Sequence, residues 1–315
     1  MKKIISMILV LAMVLALAGC AGTTVVVNNY YNYDPNATEA PETQATEAVV
    51  TEPVAAEGAL KTGLAIVTSI EGTDASAEEA GAAKYDITLA AVVVDENDVI
   101  VDCAIDVIGH TFTFDTTGAI TSDITAEVLT KNELGDNYNM KTYGGAIAEW
   151  YEQIDAFEAY CIGKTIQEIQ GYALNNEGYA ADADLATSAT IHLGAYVNAI
   201  VTAHTNAQTL GAEAGDKLIL SCTTSQADSA QGNAQLNVDA VALTTNSDGV
   251  ITSCQLDAVQ AKATIDENGA VTDLNAVSKN ALGFDYGMVS WGGAKYEWFE
   301  QAANFAAYIT GKTTA

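Results

Sequence analysis

Short runs of alternating apolar and polar residues occur in two parts of this chain, in the same order and with matching turns. In the first part the alternation predicts strands at 63–70, 85–94, 99–107, 110–115 and 119–121. In the second part it predicts strands at 241–245, 250–256, 263–266 and 270–272. Polar turns rich in Asp, Asn and Gly separate the strands, as in β-hairpins. Each part is therefore predicted to form a meander of antiparallel strands.

Each predicted meander is followed by a block of 35 residues, at 131–165 and again at 279–313. The two blocks align without a gap and are identical at 19 of the 35 positions, which indicates an internal duplication. In both blocks, apolar residues spaced by three and four predict one amphipathic helix that ends at Gly163 or Gly311. The apolar positions are Ile147, Trp150, Ile154, Phe157 and Cys161 in the first copy, and Trp298, Ala302, Phe305 and Ile309 in the second.

Some side chains repeated in the two blocks have both a functional and a structural interpretation. Trp150 and Trp298 either form a stacking platform for a ligand or anchor their helices on a sheet. Anchoring is favoured because both residues lie on the apolar stripe. Carboxylates that recur at the helix start serve either in acid–base chemistry or as a solvated helix face, and the solvated face is favoured. These carboxylates are Glu149 and Glu152 in the first copy, and Glu297 and Glu300 in the second.

Residues 166–210 occur only once. Thr165 and Glu168 match the capping box of a short helix, and a longer helix is predicted from Asp184 to about Leu210. This segment is interpreted either as a functional addition or as helical cover shared by both sheets.

These patterns together predict an α+β fold of two tandem repeats. Each repeat is an antiparallel β-meander followed by an amphipathic helix, and extra helices lie between the repeats. The predicted boundaries are 1–20 for a targeting segment, 21–61 for a tether, 62–211 for the first repeat with its extra helices, and 212–315 for the second repeat.

The first 20 residues have the layout of a secretory signal. Lys2 and Lys3 precede an apolar run at 4–15, and the segment ends in Leu-Ala-Gly-Cys at 17–20. This ending resembles the bacterial lipoprotein signal, which is cut before a lipidated cysteine. The resemblance implies that the mature chain begins at Cys20 and is anchored by lipid to the outer side of a cell membrane. Residues 21–61, rich in Thr, Glu, Ala and Pro, are predicted to be a disordered tether.

The charge balance narrows the choice of partners. The formal net charge is -29, and all twelve basic residues are lysines. Nucleic acid is excluded as a partner because its phosphates would be repelled. Tight binding of free phosphate is disfavoured because no guanidinium group is present.

The cysteines and histidines form no recognisable reactive motif. Apart from Cys20, the chain has Cys103, Cys161, Cys222 and Cys254, which lack metal-ligand spacing. The last two either pair in one sheet or are buried free thiols, and buried thiols are favoured. The three histidines have no metal-binding spacing with carboxylates, and no hydrolase signature is present.

One motif in the single-copy segment points to a cofactor. The sequence Asp-Leu-Ala-Thr-Ser-Ala-Thr at 184–190 resembles the D-x-x-[S/T]-G-A-T motif of the FMN-binding domain family, and the apolar stretch at 191–203 is similar to the helix that follows it there. Members of that family face outward and are often lipid-anchored. The resemblance implies a phosphoester between FMN and Thr190, with Asp184 as the motif's acid and Thr187, Ser188 and Ala189 as its other members. Ser188 stands where the family has glycine.

Two functions follow from these observations. One is a non-catalytic binding or scaffold lipoprotein with duplicated domains that resemble FMN-binding domains and with an unidentified surface ligand. The alternative is an electron carrier of the cell envelope with covalent FMN and a redox partner. The chain is thus expected to be a degenerate, duplicated relative of the FMN-binding family.

Overall fold

The structure is a computed structural model that describes residues 22–27 and 58–314. It is an α+β protein with two antiparallel sheets and helices outside them, so the predicted fold class is confirmed. The signal segment, including Cys20, lies outside the described residues.

The first sheet has four strands in the order of the chain. They are β1 (Gly22–Val27), β2 (Lys61–Thr73), β3 (Gly81–Val94) and β4 (Ile100–Phe114). The strands predicted at 99–107 and 110–115 are one continuous strand, because β4 pairs with β3 through Gly109 without a break. The strand predicted at 119–121 is reduced to an isolated bridge between Phe114 and Ile120. Strand β1 lies within the predicted tether, and residues 28–57 of that tether lie outside the described residues.

The second sheet repeats this topology. Its strands are β5 (Lys217–Ser225), β6 (Asn233–Thr245), β7 (Ile251–Ile265) and β8 (Val271–Asn275). Here too, the strands predicted at 250–256 and 263–266 are one strand, β7. The duplication extends to irregularities, since the register shifts at Val93/Val94 in the first sheet and at the equivalent Thr244/Thr245 in the second.

The helices of the first unit follow β4. They are α1 (Lys131–Leu134), a 3-10 turn (Gly135–Tyr138), α2 (Met140–Gly144), α3 (Trp150–Cys161), α4 (Ile166–Tyr172), α5 (Ala183–Ala186) and α6 (Gly194–Thr205). The capping box of Thr165 and Glu168 is confirmed at the start of α4. The single long helix predicted from Asp184 is wrong, because α5 ends at Ala186 and α6 begins only at Gly194.

The second unit has fewer helices after its meander. They are α7 (Lys279–Leu282), a 3-10 turn (Gly283–Tyr286) and α8 (Trp298–Ile309). Helices α3 and α8 occupy equivalent positions and both end before a glycine of positive φ, Gly163 or Gly311. Ile147, expected on the apolar stripe, lies before α3 and is exposed.

The two sheets pack face to face and share one apolar core. Alternate residues of every long strand point into it, among them Ile87 of β3 and Val238 of β6. Polar contacts also cross the interface, since the Tyr85 hydroxyl donates to the Ala234 carbonyl at 2.7 Å. The two repeats therefore fold against each other, and each buries the inner face of its neighbour's sheet.

The outer faces of the two sheets have different cover. In the first unit α3, α4, α5 and α6 together bury the outer residues of β2, β3 and β4. In the second unit α8 lies on β7, and the cluster beneath it contains three buried apolar residues, Ile251, Cys254 and Ala306. Helix α6 packs on β2 and β3, so the interpretation of shared cover for both sheets is wrong.

Candidate functional site

A buried glutamate organises each repeated block. Glu149 precedes α3, and its carboxylate accepts hydrogen bonds from the Met140 and Lys141 amides at 2.8 and 3.1 Å. Glu297 does the same for the Met288 and Val289 amides at 2.8 and 3.0 Å. The solvated helix face predicted for these positions is wrong at Glu149 and Glu297, which are buried, whereas Glu152 is exposed. Each buried carboxylate instead binds backbone amides. It closes the loop onto the start of the helix.

Glu152 completes the helix start in the first copy. Its carboxylate accepts the Glu149 amide at 2.8 Å, and this hydrogen bond lowers the pKa of Glu152. Glu300 accepts the Glu297 amide at the same distance. The repeated pair of glutamates is thus a helix-capping device.

The repeated lysine stacks on two aromatic rings. Lys131 Nζ lies 5.1 Å from the Tyr138 ring centre and 5.2 Å from that of Trp150. Lys279 lies at 5.3 and 5.2 Å from the equivalent rings of Tyr286 and Trp298. These cation–π contacts fix the block against its helix, so both tryptophans act as anchors. Trp150 is buried, whereas Trp298 is partly exposed, although the apolar stripe predicts the same role for both.

The repeated asparagine attaches each block to its sheet. The Asn132 side-chain Nδ2 donates to the Ile105 carbonyl at 3.0 Å, and the backbone N–H of Asn132 donates to the Asp106 carboxylate. In the second copy Asn280 makes the same two bonds to Leu256 and Asp257. Asp257 is buried, and burial raises its pKa to about 6.

The segment that resembles the flavin motif lies on the surface beside α3. Asp184, Thr187, Ser188 and Thr190 are exposed, and Ala189 is buried. Asp182, not Asp184, caps α5, because its side chain accepts the amides of Asp184 and Leu185. The proposed attachment residue Thr190 is not at a helix start, since α6 begins four residues later at Gly194.

Thr190 is held by a buried glutamine. Gln153 Oε1 accepts the Thr190 amide at 2.8 Å and its hydroxyl at 3.1 Å. The other amides of 184–189 also donate to protein oxygens. The motif therefore exposes a hydroxyl but offers no free amide for a phosphate, so its residues do not form the phosphate cradle that bound FMN requires.

An acidic cleft of about 350 Å³ lies on the other side of α3. Asp106, Asp136, Asp155 and Glu158 line it together with Tyr151. Burial raises the pKa of Glu158 to about 8, although its carboxylate accepts the Ile105 amide. At neutral pH Glu158 thus holds a proton. The sequence signal for this cleft was the set of polar residues at 151, 155 and 158, which line the face of α3 next to the apolar stripe.

The four described cysteines are free thiols. Cys222 packs toward the core between the sheets, whereas Cys254 lies under α8 on the outer face, so these two do not pair. Burial raises the pKa of both thiols. The described residues contain no cluster of three or more histidine, cysteine or acidic side chains suited to a metal ion.

The second unit exposes several aromatic side chains, and one of them, Phe305, was predicted to lie on the apolar stripe of its helix. Phe305 of α8 is 53% exposed, Trp291 is 90% exposed, and Phe284 and Tyr308 are also exposed. The equivalent of Phe305 in the first unit, Phe157, is fully buried. The sequence contained a signal for this difference, since the stripe occurs twice and the covering helices occur once.

Comparison with known proteins finds no matching family model, curated protein or solved structure. Within the described part of the chain, no helix is both long and apolar enough to cross a membrane.

Proposed function

We propose that this chain is a non-catalytic binding or scaffold module, held by a lipid on Cys20 at the outer side of a cell membrane. The observation that supports binding is the pair of exposed aromatic side chains Phe305 and Tyr308, which are three residues apart on α8. Exposed apolar patches of this kind mark interaction sites in soluble domains. The acidic remainder of the surface keeps such a module soluble.

Site-specific photo-cross-linking tests the binding role. A photoreactive residue replaces Tyr308 on α8 or, as a control, Glu177, which is exposed in the first unit. In intact producing cells we expect adducts from position 308 and none from 177. A binding role for this surface is abandoned if position 308 gives no adduct above the control.

Anchoring is supported by the lipoprotein-like sequence at 17–20. We expect Cys20→Ser to release the protein from membranes while its circular dichroism spectrum stays unchanged, because the substitution removes the acceptor of the lipid and leaves both sheets and their helices as they are. Detergent-free fractionation measures the release. A variant that still sediments with membranes contradicts lipid anchoring at Cys20.

The second candidate function is a covalent-FMN electron carrier. One observation favours it: Thr190 is exposed. Its test is the intact mass and visible absorbance of protein made together with a flavin transferase. We expect little flavin on the wild-type chain. Flavin attached in near-stoichiometric amount, and lost in Thr190→Val, favours the carrier, because valine keeps the shape and removes the hydroxyl.

A further inference from the structure

The first unit shows how a helix of this fold receives its cover. Trp150 Nε1 of α3 donates to the Tyr196 hydroxyl at 3.0 Å, and Gln153 accepts the Thr190 amide and hydroxyl. Phe157 is buried in the same cluster as residues of α5 and α6. Helix α3 therefore recognises the segment 182–196 through two hydrogen-bonding side chains and one aromatic ring.

Charge contributes to the same contact. Lys164 Nζ lies 3.9 Å from the Tyr160 ring centre at the end of α3. Burial raises the pKa of Tyr160, and the negative charge of Asp182, the cap of α5, adds to this effect. Asp182 is thus a charged side chain of this segment that acts on Tyr160, the ring on which Lys164 stacks.

Helix α8 keeps the same recognition groups. The equivalents are identical side chains: Trp298, Gln301, Phe305, Tyr308 and Lys312. Lys312 stacks on Tyr308 at 4.2 Å, as Lys164 does on Tyr160. Gln301 still donates to a backbone carbonyl, that of Tyr296. Within the described residues, however, Trp298 Nε1 has no acceptor and Gln301 Oε1 has no donor.

The second sheet has no site equivalent to the one that α6 occupies on the first sheet. Helix α6 approaches Gly63 so closely that a Cβ there would lie 1.9 Å from the Ala203 carbonyl oxygen. The residue at the equivalent place in the second sheet is Ile219, whose side chain excludes that approach. Ser221 and Thr223 are exposed where the first sheet has the buried Ala65 and Val67. A copy of α6 from a second molecule of this chain therefore does not fit in its native pose.

Electrostatics also opposes a second copy. The chain has a formal net charge of -29, so two copies repel. The α8 surface itself presents lysines stacked on aromatic rings, at Lys279, Lys295 and Lys312. This local positive charge complements a carboxylate on the partner segment.

We propose that α8 docks a segment of a separate protein, which supplies the groups that residues 182–196 supply to α3 from the end of α5, the following loop and the start of α6. The segment presents a carboxylate near Lys312, amide and hydroxyl donors to Gln301, an acceptor for Trp298 Nε1, and apolar side chains that cover Phe305. This inference rests on the proposed binding function and specifies the chemistry of the partner.

A peptide of residues 181–198 of this chain is the probe, because it contains these groups and ends before Ala203. Labelled peptide is titrated with the full chain carrying Cys20→Ser, and fluorescence anisotropy is measured. We expect saturable binding that weakens about tenfold in Phe305→Ala, as at central aromatic contacts, and also weakens in Gln301→Ala. The matched control is Ala307→Gln, which should bind like the wild type, since the equivalent Ala159 stays exposed when α5 and α6 cover α3.

Absence of saturable binding, or binding unchanged in both variants, overturns the docking inference. The alternative partner is a second copy of this chain, and sedimentation of the chain without peptide tests it. A dimer that forms in the wild type and is lost in Phe305→Ala would show that a second copy, not a separate protein, covers α8. Cross-linking from position 308 separates the proposed binding function from the inference about the chemistry of the partner. If adducts form there but the peptide does not bind, the binding function stands and the partner segment proposed here is wrong.

Discussion

The two sheets belong to repeats of one duplicated unit, but their outer faces are covered by different sets of helices. In the first unit four helices cover the sheet, and Trp150, Ile154 and Phe157 of α3 are buried. In the second unit α8 is the long helix that packs on the sheet among the described residues, and Phe305 is mostly in solvent. The comparison separates residues kept for the fold of each unit from residues whose burial depends on the additional helices.

The first class of residues has the same contacts in both units. The capping glutamates, the stacked lysines and the anchoring asparagines match between the units in partners, and their distances match within a few tenths of an ångström. The second class consists of the aromatic and glutamine side chains that α5 and α6 cover in the first unit. In the second unit the same side chains form an exposed surface, so their identity is not explained by the fold of that unit.

The sharpest test of this separation is a matched pair of phenylalanine truncations. We expect Phe157→Ala to lower the free energy of unfolding by about 3–5 kcal/mol, because it empties a fully buried site. Phe305→Ala should cost less than about 1 kcal/mol, because half of that ring is already in water. Urea denaturation of each variant measures both values. Similar costs for the two variants would mean that α8 is covered in the free protein.

The capping glutamates give the opposite expectation, equal effects in both units. Glu149→Gln and Glu297→Gln each replace one acceptor oxygen by an amino group that faces a backbone N–H donor. We expect each variant to lose about 2 kcal/mol of stability, the cost of an unsatisfied hydrogen bond to a charged group. Urea denaturation that separates the two variants by more than about 1 kcal/mol contradicts a shared capping role.

Much of the fold was predictable from sequence because local patterns determine it. Alternation located the meanders, and the repeated blocks located α3 and α8. The errors occurred where a residue's environment was decided by distant packing. Gly109 and Gln260 interrupted the apolar alternation of β4 and β7, yet cross-strand pairing with β3 and β6 carries both strands through those positions.

The candidate surface was not predictable from the same patterns. The apolar stripe of α8 has the periodicity of a buried helix face, and periodicity does not reveal whether another element covers it. The role of Glu149 was also not predictable, because its partners are the backbone amides of residues eight and nine positions earlier. Side chains that bind main-chain groups leave no signal in the pattern of residue types.

The smallest expected effect concerns a carboxyl group that only the first unit has. Glu158 has a pKa of about 8 because of burial, against an ordinary value of 4.5, and its equivalent in the second unit is Ala306. Below about pH 4.5 the carboxyl group is protonated in both the folded and the unfolded state, so its titration does not change the free energy of unfolding. Between these two values the unfolded state releases a proton that the folded state keeps, so stability falls as pH rises through this window.

Glu158→Gln removes this titration while its oxygen still accepts the Ile105 amide. We expect the variant to match the wild type near pH 4 and to exceed it by on the order of 1–2 kcal/mol at pH 8.5, with the size limited by partial solvent access. Glu177→Gln is the charge-matched control at an exposed position of the first unit and should leave the pH dependence of unfolding unchanged. If Glu158→Gln shifts stability equally at both pH values, folding does not raise the pKa of Glu158, and burial in the acidic cleft is not what distinguishes this helix from α8.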